Sequence, residues 1–374
     1  MSTIPPLDLK RQYQMIGTEV DAAVLSVLAS GAYIGGPGVQ AFEQEFAAYV
    51  GTTEAVGCNS GTDALYLALK ILGIGAGDEV ITSPFTFIAT AEMISAVGAK
   101  PILVDIDPDT YNIDLNQIAG AITPQTKAIM PVHLFGRPVD MTALMSIANA
   151  HNLKVIEDCA QSTGAEWAGQ KTGNIGHVGC FSFFPTKNLG CCGDGGAVTL
   201  NDPTWAADAR MYREHGSRMR YYHEVVGINS RLDALQAAVL SIKLRYLDKW
   251  NIGRQEVADR YQQLLSDVPG IILPKPTLAP GKSSWNQYTI RVLGADNGAR
   301  RDAVRAKLQE AGIISMIYYP LPLHLQEVYQ DLGYKVGDFP VTEEVSHQVL
   351  SIPMFPEITA TEQERVAYAL KAAL

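Results

Sequence analysis

The chain predicts an α/β architecture, a large domain on a mostly parallel sheet flanked by helices, followed by a smaller C-terminal α+β domain. Three observations lead there. Short apolar strands alternate with helical stretches from about Glu54 to Leu200, and strand patterns largely stop after Gly216. The 374 residues also exceed the roughly 250–300 at which a single hydrophobic core usually stops growing. The division is expected at residues 1–250 and 251–374.

In the first part the expected strands are Ala55–Cys58, Glu79–Ser83, Pro101–Asp105, Lys127–Val132, Lys154–Asp158, Gly179–Phe183 and Gly196–Leu200. Helices fall between them at Thr62–Leu72, Thr86–Val97 and Asp140–Ala150, the first apolar nearly all round and so expected to be buried. Ser230–Tyr246 and Trp250–Ser266 read as two long helices, with Leu232, Leu235, Ala238, Val239 and Ile242 at helical spacing in the first. A Pro/Gly-rich passage from Pro274 to Gly281 then leads to the alternating segment Gln287–Val292, a helix over Arg301–Ala311, a strand over Ile313–Tyr318 and a last helix near Thr361–Ala373.

Composition narrows the function classes. A net charge of −10 spread over both halves argues against nucleic acid or an anionic membrane as partner, since both need a basic face. No window approaches the roughly 18 apolar residues of a membrane span, and Met1-Ser2-Thr3-Ile4-Pro5-Pro6 lacks a basic region followed by an apolar core, so a cytoplasmic location is expected. The five cysteines are odd in number, and the adjacent pair Cys191-Cys192 does not match zinc spacing; reduced thiols and no metal are expected.

The chemistry concentrates in two residues. Asp158 closes the strand Leu153–Asp158, and ligands of open α/β sheets gather outside the carboxyl ends of strands. Side chains alternate along a strand, so Glu157 faces the other way. Lys187 follows a buried-type strand and precedes Gly190, Gly193, Gly195 and Gly196, a glycine density that lets backbone approach a ligand. Such a lysine is desolvated, which moves its amine from roughly 10.4 toward the range where the neutral form is available. A lysine amine captures an aldehyde and an aspartate holds a pyridine nitrogen protonated, which together is what a pyridoxal-phosphate enzyme requires. Taken singly, Asp158 reads as a turn cap and Lys187 as a solvated loop lysine; the pairing outweighs both. Asn59-Ser60-Gly61-Thr62-Asp63 ends one strand and opens a helix, where backbone N–H groups and hydroxyls form an anion cup suited to a phosphate. Ser182 offers a further hydroxyl, and Phe85 or Phe87 a ring for a flat cofactor.

These pieces, in this order, resemble the nucleotide-sugar aminotransferases of the DegT/DnrJ/StrS type, within the fold type I pyridoxal-phosphate enzymes. The likeness runs nearly end to end. It includes Gly35-Gly36-Pro37, Asn59–Leu65, Pro84–Thr90, Pro131–Gly136, Ile156–Ser162, the Lys187 segment, Gly227–Asp233, Tyr319-Pro320 with Leu323-His324, and Leu350–Met354. The resemblance implies that Lys187 carries the internal Schiff base and moves protons, that Asp158 faces the pyridine nitrogen, and that Gln161 lies near the ring hydroxyl. It also implies that Phe87 stacks on the ring while Gly61, Thr62 and Ser182 hold the phosphate. Asn229 matches a residue that reaches the phosphate from a second subunit, implying a homodimer with shared sites. Arg231, Tyr319 and His324 match positions near the sugar nucleotide.

Members with histidine in place of the lysine act as dehydratases, so Lys187 argues for amino transfer. The stretch Gly190-Cys191-Cys192-Gly193-Asp194-Gly195-Gly196 looks more like members that aminate a 3-keto sugar than those acting on a 4-keto sugar, and Tyr221-Tyr222-His223 leans the same way. The expected reaction moves an amino group from an amino acid, glutamate by analogy, to a UDP- or dTDP-linked keto sugar. Three alternatives stand beside it: a 4-keto specificity, a regulatory protein that binds the cofactor without turnover, and an ordinary amino-acid transaminase. The last would need an arginine for a substrate α-carboxylate, for which Arg291 and Arg301 are the candidates.

Overall fold

The computed structural model describes residues 3–374. Seven strands form its main sheet: β1 (Glu54–Cys58), β2 (Glu79–Thr82), β3 (Lys100–Leu103), β4 (Thr126–Ile129), β5 (Lys154–Asp158), β6 (Val178–Ser182) and β7 (Gly196–Leu200). Their spatial order is β1-β7-β6-β5-β4-β2-β3. Only β7 runs against its neighbours, pairing antiparallel with both β1 and β6; the other contacts are parallel. All seven expected strands are present, most within a residue or two of the expected ends. This is the mostly parallel sheet of a fold type I enzyme.

A central parallel sheet is covered on both faces, which is why its strands read as apolar runs. The helix Gly61–Ile71 buries Ala64, Leu65, Leu67, Ala68, Leu69 and Ile71 against β1, β6 and β7, as its all-round apolar character predicts. The opposite face is covered by Pro37–Val50 and Ala234–Leu244, whose Phe42, Phe46, Ala237 and Leu240 pack on Phe181 and Phe183. The helix expected over Thr86–Val97 is shorter, Ala89–Ala96, because Phe85 to Ile88 form the turn that leaves β2.

The C-terminal unit centres on Tyr288–Val292, sandwiched between Ile271–Ile272 and Val349–Ile352. That central strand lies within the alternating segment expected over Gln287–Val292, and all five of its residues are buried. Thr289 pairs with the Ser351 hydroxyl at 2.8 Å, and Arg291 with Gln348 and Glu344. The strand expected over Ile313–Tyr318 is reduced to isolated bridges because its two ends find different partners, Ile313 pairing with Ile4 and Met316 with Ser351 on the edge of Val349–Ile352 away from Tyr288–Val292. The helix Leu247–Leu265 crosses residue 250: Leu247 joins the core of the large sheet, while Val257, Tyr261 and Leu265 join the C-terminal core. The N-terminal Ile4 also belongs to that second core. Among the described residues no helix is long and apolar enough to cross a membrane, and all five cysteines are free thiols.

Candidate active site

The side chains singled out in the sequence come from connections at one edge of the sheet. Asp158 ends β5, Ser182 ends β6, Gly61 and Thr62 follow β1, and Phe87 follows β2. Lys187 lies between β6 and β7. A parallel sheet places the carboxyl ends of its strands along one edge, so distant segments of sequence meet there.

Asp158 is buried, and the protein supplies it two donors: the Ala160 N–H to Oδ1 at 3.1 Å and the Thr90 hydroxyl to Oδ2 at 2.8 Å. Thr90 has one hydroxyl proton and gives it to Asp158, so in the 3.0 Å contact with Thr86 the donor is Thr86. Burial pushes the Asp158 carboxyl up, opposed by those two hydrogen bonds and by the Lys187 charge. Burial likewise lowers the Lys187 amine to about 8, with Asp158 pulling the other way, although part of the lysine surface stays open. A carboxylate and an amine that each want the other's charge form a poised acid–base pair.

The Lys187 loop is held from below. The Asn188 amide donates to Asn251 Oδ1 at 2.8 Å and to the Ser284 carbonyl at 2.7 Å, while the Asn286 amide donates to Asn188 Oδ1 at 2.7 Å. Lys243 caps the Gly190 carbonyl at 2.7 Å. Three buried asparagines thus fix the residue next to Lys187, and this support was not foreseen from the sequence, since its members lie far apart along the chain.

At the start of the Gly61–Ile71 helix, the Ser60 hydroxyl accepts the Asp63 N–H at 3.0 Å. The first-turn N–H groups of Gly61 and Thr62 have no intrahelical acceptor and are open to an anion. Gly61 is required there: a Cβ would stand 2.6 Å from Ser182 Cβ and 3.0 Å from its Cα. Gly196 is bound in the same way by the Ser60 carbonyl, 2.3 Å from where its Cβ would be. Phe87 keeps 56% of its surface exposed, a free ring face beside Tyr319, whose centroid is 6.3 Å away. Gln161 accepts the Phe135 N–H at 2.7 Å and donates to the Tyr319 hydroxyl at 3.0 Å. A phosphate seat, a free aromatic face, a buried carboxylate and a deprotonatable lysine fit pyridoxal phosphate.

The remaining expected residues lie further out. Asn229 is exposed and pairs with Glu214 in a short bridge; Arg231 meets Glu214 at 3.3 Å. His324 is 1% exposed, with Nε2 at 3.0 Å from Glu343 and its ring against Phe339, so the imidazole turns into the C-terminal unit. Arg291 is taken up by Glu344 and Gln348, and Arg301 by Asp302 and the carbonyls of Ser346 and Val349.

Glu157 faces away from Asp158, as alternation requires. It accepts from His133 and from the N–H groups of Gly173, Ile175 and Gly176. Burial alone would raise this carboxyl, but the His133 donor and the Gly173 and Gly176 N–H groups hold it below the usual carboxylate range. His133, Glu157 and Cys159 come close enough together to suggest a metal. However, the Val139 N–H occupies His133 Nδ1 at 3.0 Å, which leaves Nε2–H to donate to Glu157 and no imidazole nitrogen to ligate.

The model of the DegT/DnrJ/EryC1/StrS aminotransferase family matches residues 14–371. A Streptomyces venezuelae dTDP-3-amino-3,4,6-trideoxy-alpha-D-glucose transaminase is 46% identical over 98% of this chain and 95% of its own. A Geobacillus stearothermophilus protein described as a pleiotropic regulatory protein is also 46% identical, over 97% of this chain and 96% of its own. Among solved structures, S. venezuelae DesV in complex with a ketimine intermediate superposes with a TM-score of 0.95 at 45% identity, covering 100% of this chain and 98% of that one. Bacillus subtilis NtdA with bound cofactor PMP gives 0.87 at 34% identity, covering 95% and 81%.

Proposed function

The chain belongs to the DegT/DnrJ/EryC1/StrS aminotransferase family, and on that premise we propose that it moves an amino group from glutamate to the 3-keto position of a UDP- or dTDP-linked sugar. The protein is a pyridoxal-phosphate-dependent nucleotide-sugar transaminase. What carries it is the placement of Asp158 and Lys187 together at the sheet edge, beside a helix N-terminus that Gly61 opens to Ser182. The 3-keto assignment is supported by the Gly190–Gly196 stretch and by the name of the S. venezuelae relative.

In this reading the cofactor, when bound, supplies an electron-withdrawing ring that stabilises a carbanion at the substrate carbon. Gly61, Thr62 and Ser182 would hold its phosphate, Phe87 would offer its free ring face and Gln161 would hold the ring hydroxyl. Asp158 keeps a proton at the ring nitrogen, which a buried carboxylate does best when its own charge is held by donors such as Thr90 and Ala160. Lys187 Nζ would hold the cofactor covalently, and its free amine would take the proton from the substrate carbon and give it back. An amine lowered to about 8 has a large neutral fraction at working pH and still gives the proton back.

A homodimer with shared sites follows from the family resemblance. It is supported by exposed apolar residues on segments near Asn229: Met219, Tyr221, Tyr222 and Val226 are 62%, 78%, 66% and 88% exposed, and Tyr33 and Ile34 adjoin Asp233 and Ala234. Arg231 and Tyr319 are assigned to the sugar nucleotide, with His324 shaping the same loop. The regulatory relative favours a second reading, cofactor binding without turnover. Incubation with glutamate and a panel of nucleotide-linked 3-keto and 4-keto sugars decides: an aminated 3-keto product is expected, 4-keto turnover overturns the position, and no amino exchange with any sugar supports the regulatory reading.

A further inference from the structure

Ser230 is fully buried between Asn229, which is exposed, and Arg231, which is partly so. Its hydroxyl is used in both directions. Oγ accepts the Asn59 N–H at 3.1 Å and donates its proton to Asp63 Oδ2 at 2.7 Å. The Ser230 backbone N–H donates to the Arg213 carbonyl at 3.0 Å. Arg213 in turn gives Nη1 to the Gly57 carbonyl and to Glu43, and Glu43 accepts the Gly57 N–H at 2.8 Å. Ser230 therefore ties the end of β1 and the first turn of the helix Gly61–Ile71 to a distant part of the chain.

That turn carries the phosphate seat, and Asp63 is its third residue. Gly61 and Thr62 have N–H groups without an intrahelical acceptor, whereas the Asp63 N–H is taken by the Ser60 hydroxyl. A carboxylate in the first turn is attracted by those free N–H groups and by the positive end of the helix. Short acidic side chains also fold back onto backbone N–H groups close to them in sequence. The Asp63 carboxylate is thus a rival anion, one or two residues from the donors that a phosphate needs. Among the described residues the Ser230 hydroxyl is the one hydrogen-bond donor to that carboxylate, from 167 positions away in sequence.

We propose that Ser230 is a positioning residue for the cofactor phosphate: by holding Asp63 at Oδ2 it keeps the Gly61 and Thr62 N–H groups free. Without the hydroxyl, the carboxylate is released to cap its own turn and competes with the phosphate for the same donors. The inference rests on the phosphate seat of the reading above, and a ligand that lacks the phosphate separates the two.

Equilibrium dialysis of the full-length apoprotein against pyridoxal phosphate and, separately, against pyridoxal provides the test. With Ser230→Ala the dissociation constant for pyridoxal phosphate should rise about tenfold, as expected for one hydrogen bond to a charged group, while that for pyridoxal stays within about twofold. Made on an Asp63→Ala background, the same substitution should cost no more than about twofold, since the competing carboxylate is gone. If Ser230→Ala does not fold, Ser230→Cys, similar in size with only a weak S–H donor, is read by the same criteria. Equal weakening of both ligands overturns the proposal and marks Ser230 as structural alone. Unchanged affinity for pyridoxal phosphate overturns it too, as does a loss of equal size with and without the Asp63 carboxylate. A wild-type protein that holds pyridoxal as tightly as pyridoxal phosphate defeats the phosphate seat itself, and the role of Ser230 with it.

Discussion

Thr90→Val deletes one hydroxyl and leaves the side-chain volume nearly unchanged, which isolates the support given to Asp158. That carboxylate has two protein donors, and the 2.8 Å bond from Thr90 is the shorter. A hydrogen bond to a charged group contributes about 1.5–3 kcal/mol. If half or more of that is lost from the ionised form of Asp158 during reaction, the amino-acid half-reaction slows about three- to 150-fold at neutral pH. The pH dependence gives the sign. The Thr90 bond lowers the Asp158 carboxyl, so its removal raises it, and the deficit should shrink as pH rises and the carboxylate is recovered. Single-turnover absorbance with glutamate between pH 6 and 9 measures this, with Thr90→Ser as the variant that restores the rate. A Thr90→Val profile that superimposes on wild type at every pH refutes the idea that Asp158 depends on this hydroxyl.

Three other outcomes follow from the packing. Gly61→Ala must move Ser182 or the helix start by about 0.8 Å to bring the new Cβ from 2.6 Å to ordinary contact, at a cost of about 1–3 kcal/mol; equilibrium dialysis should find cofactor binding at least tenfold weaker, and unchanged affinity contradicts the phosphate seat. Asn251→Leu leaves the Asn188 amide without one buried partner and should destabilise by about 1–3 kcal/mol in urea unfolding while slowing cofactor capture by Lys187. The Arg11 hydrogen bonds pull the Glu362 carboxyl down to about 2. A depressed carboxylate stabilises fully above its unfolded value of 4.5 and loses that contribution as pH falls toward 2, so Arg11→Gln should cost about 1–2 kcal/mol at pH 7 and nothing near pH 2.

The sheet was legible because each strand is a short apolar run ended by a turn signal, and its length and flanking residues, rather than its periodicity, separate it from a buried helix. Asp158, Ser182 and the Ser60–Thr62 turn were legible for a related reason: they end strands, and strand ends in this topology share an edge. Thr90 was not, because it sits inside an apolar stretch that reads as helix throughout, and only the shortened helix at Ala89 exposes its hydroxyl to β5. Likewise Arg254 reads as one polar residue of an amphipathic helix until the carbonyls of Trp285, Asn286 and Met354 close around it. Ile313–Tyr318 shows the opposite failure. Its apolar residues favour a strand, but Ile313 pairs with Ile4 and Met316 with Ser351, so no single partner runs along the segment and tertiary context outweighs propensity.

Every functional statement depends on the amine of Lys187 being the group that holds the cofactor. Borohydride reduction of the reconstituted protein followed by peptide mass mapping tests this directly. The pyridoxyl mass should appear on the peptide containing Lys187 and be absent from Lys187→Ala, with the visible absorbance of the reconstituted protein lost in that variant. A label on another lysine, or a wild-type protein that stays colourless and unlabelled, contradicts the account.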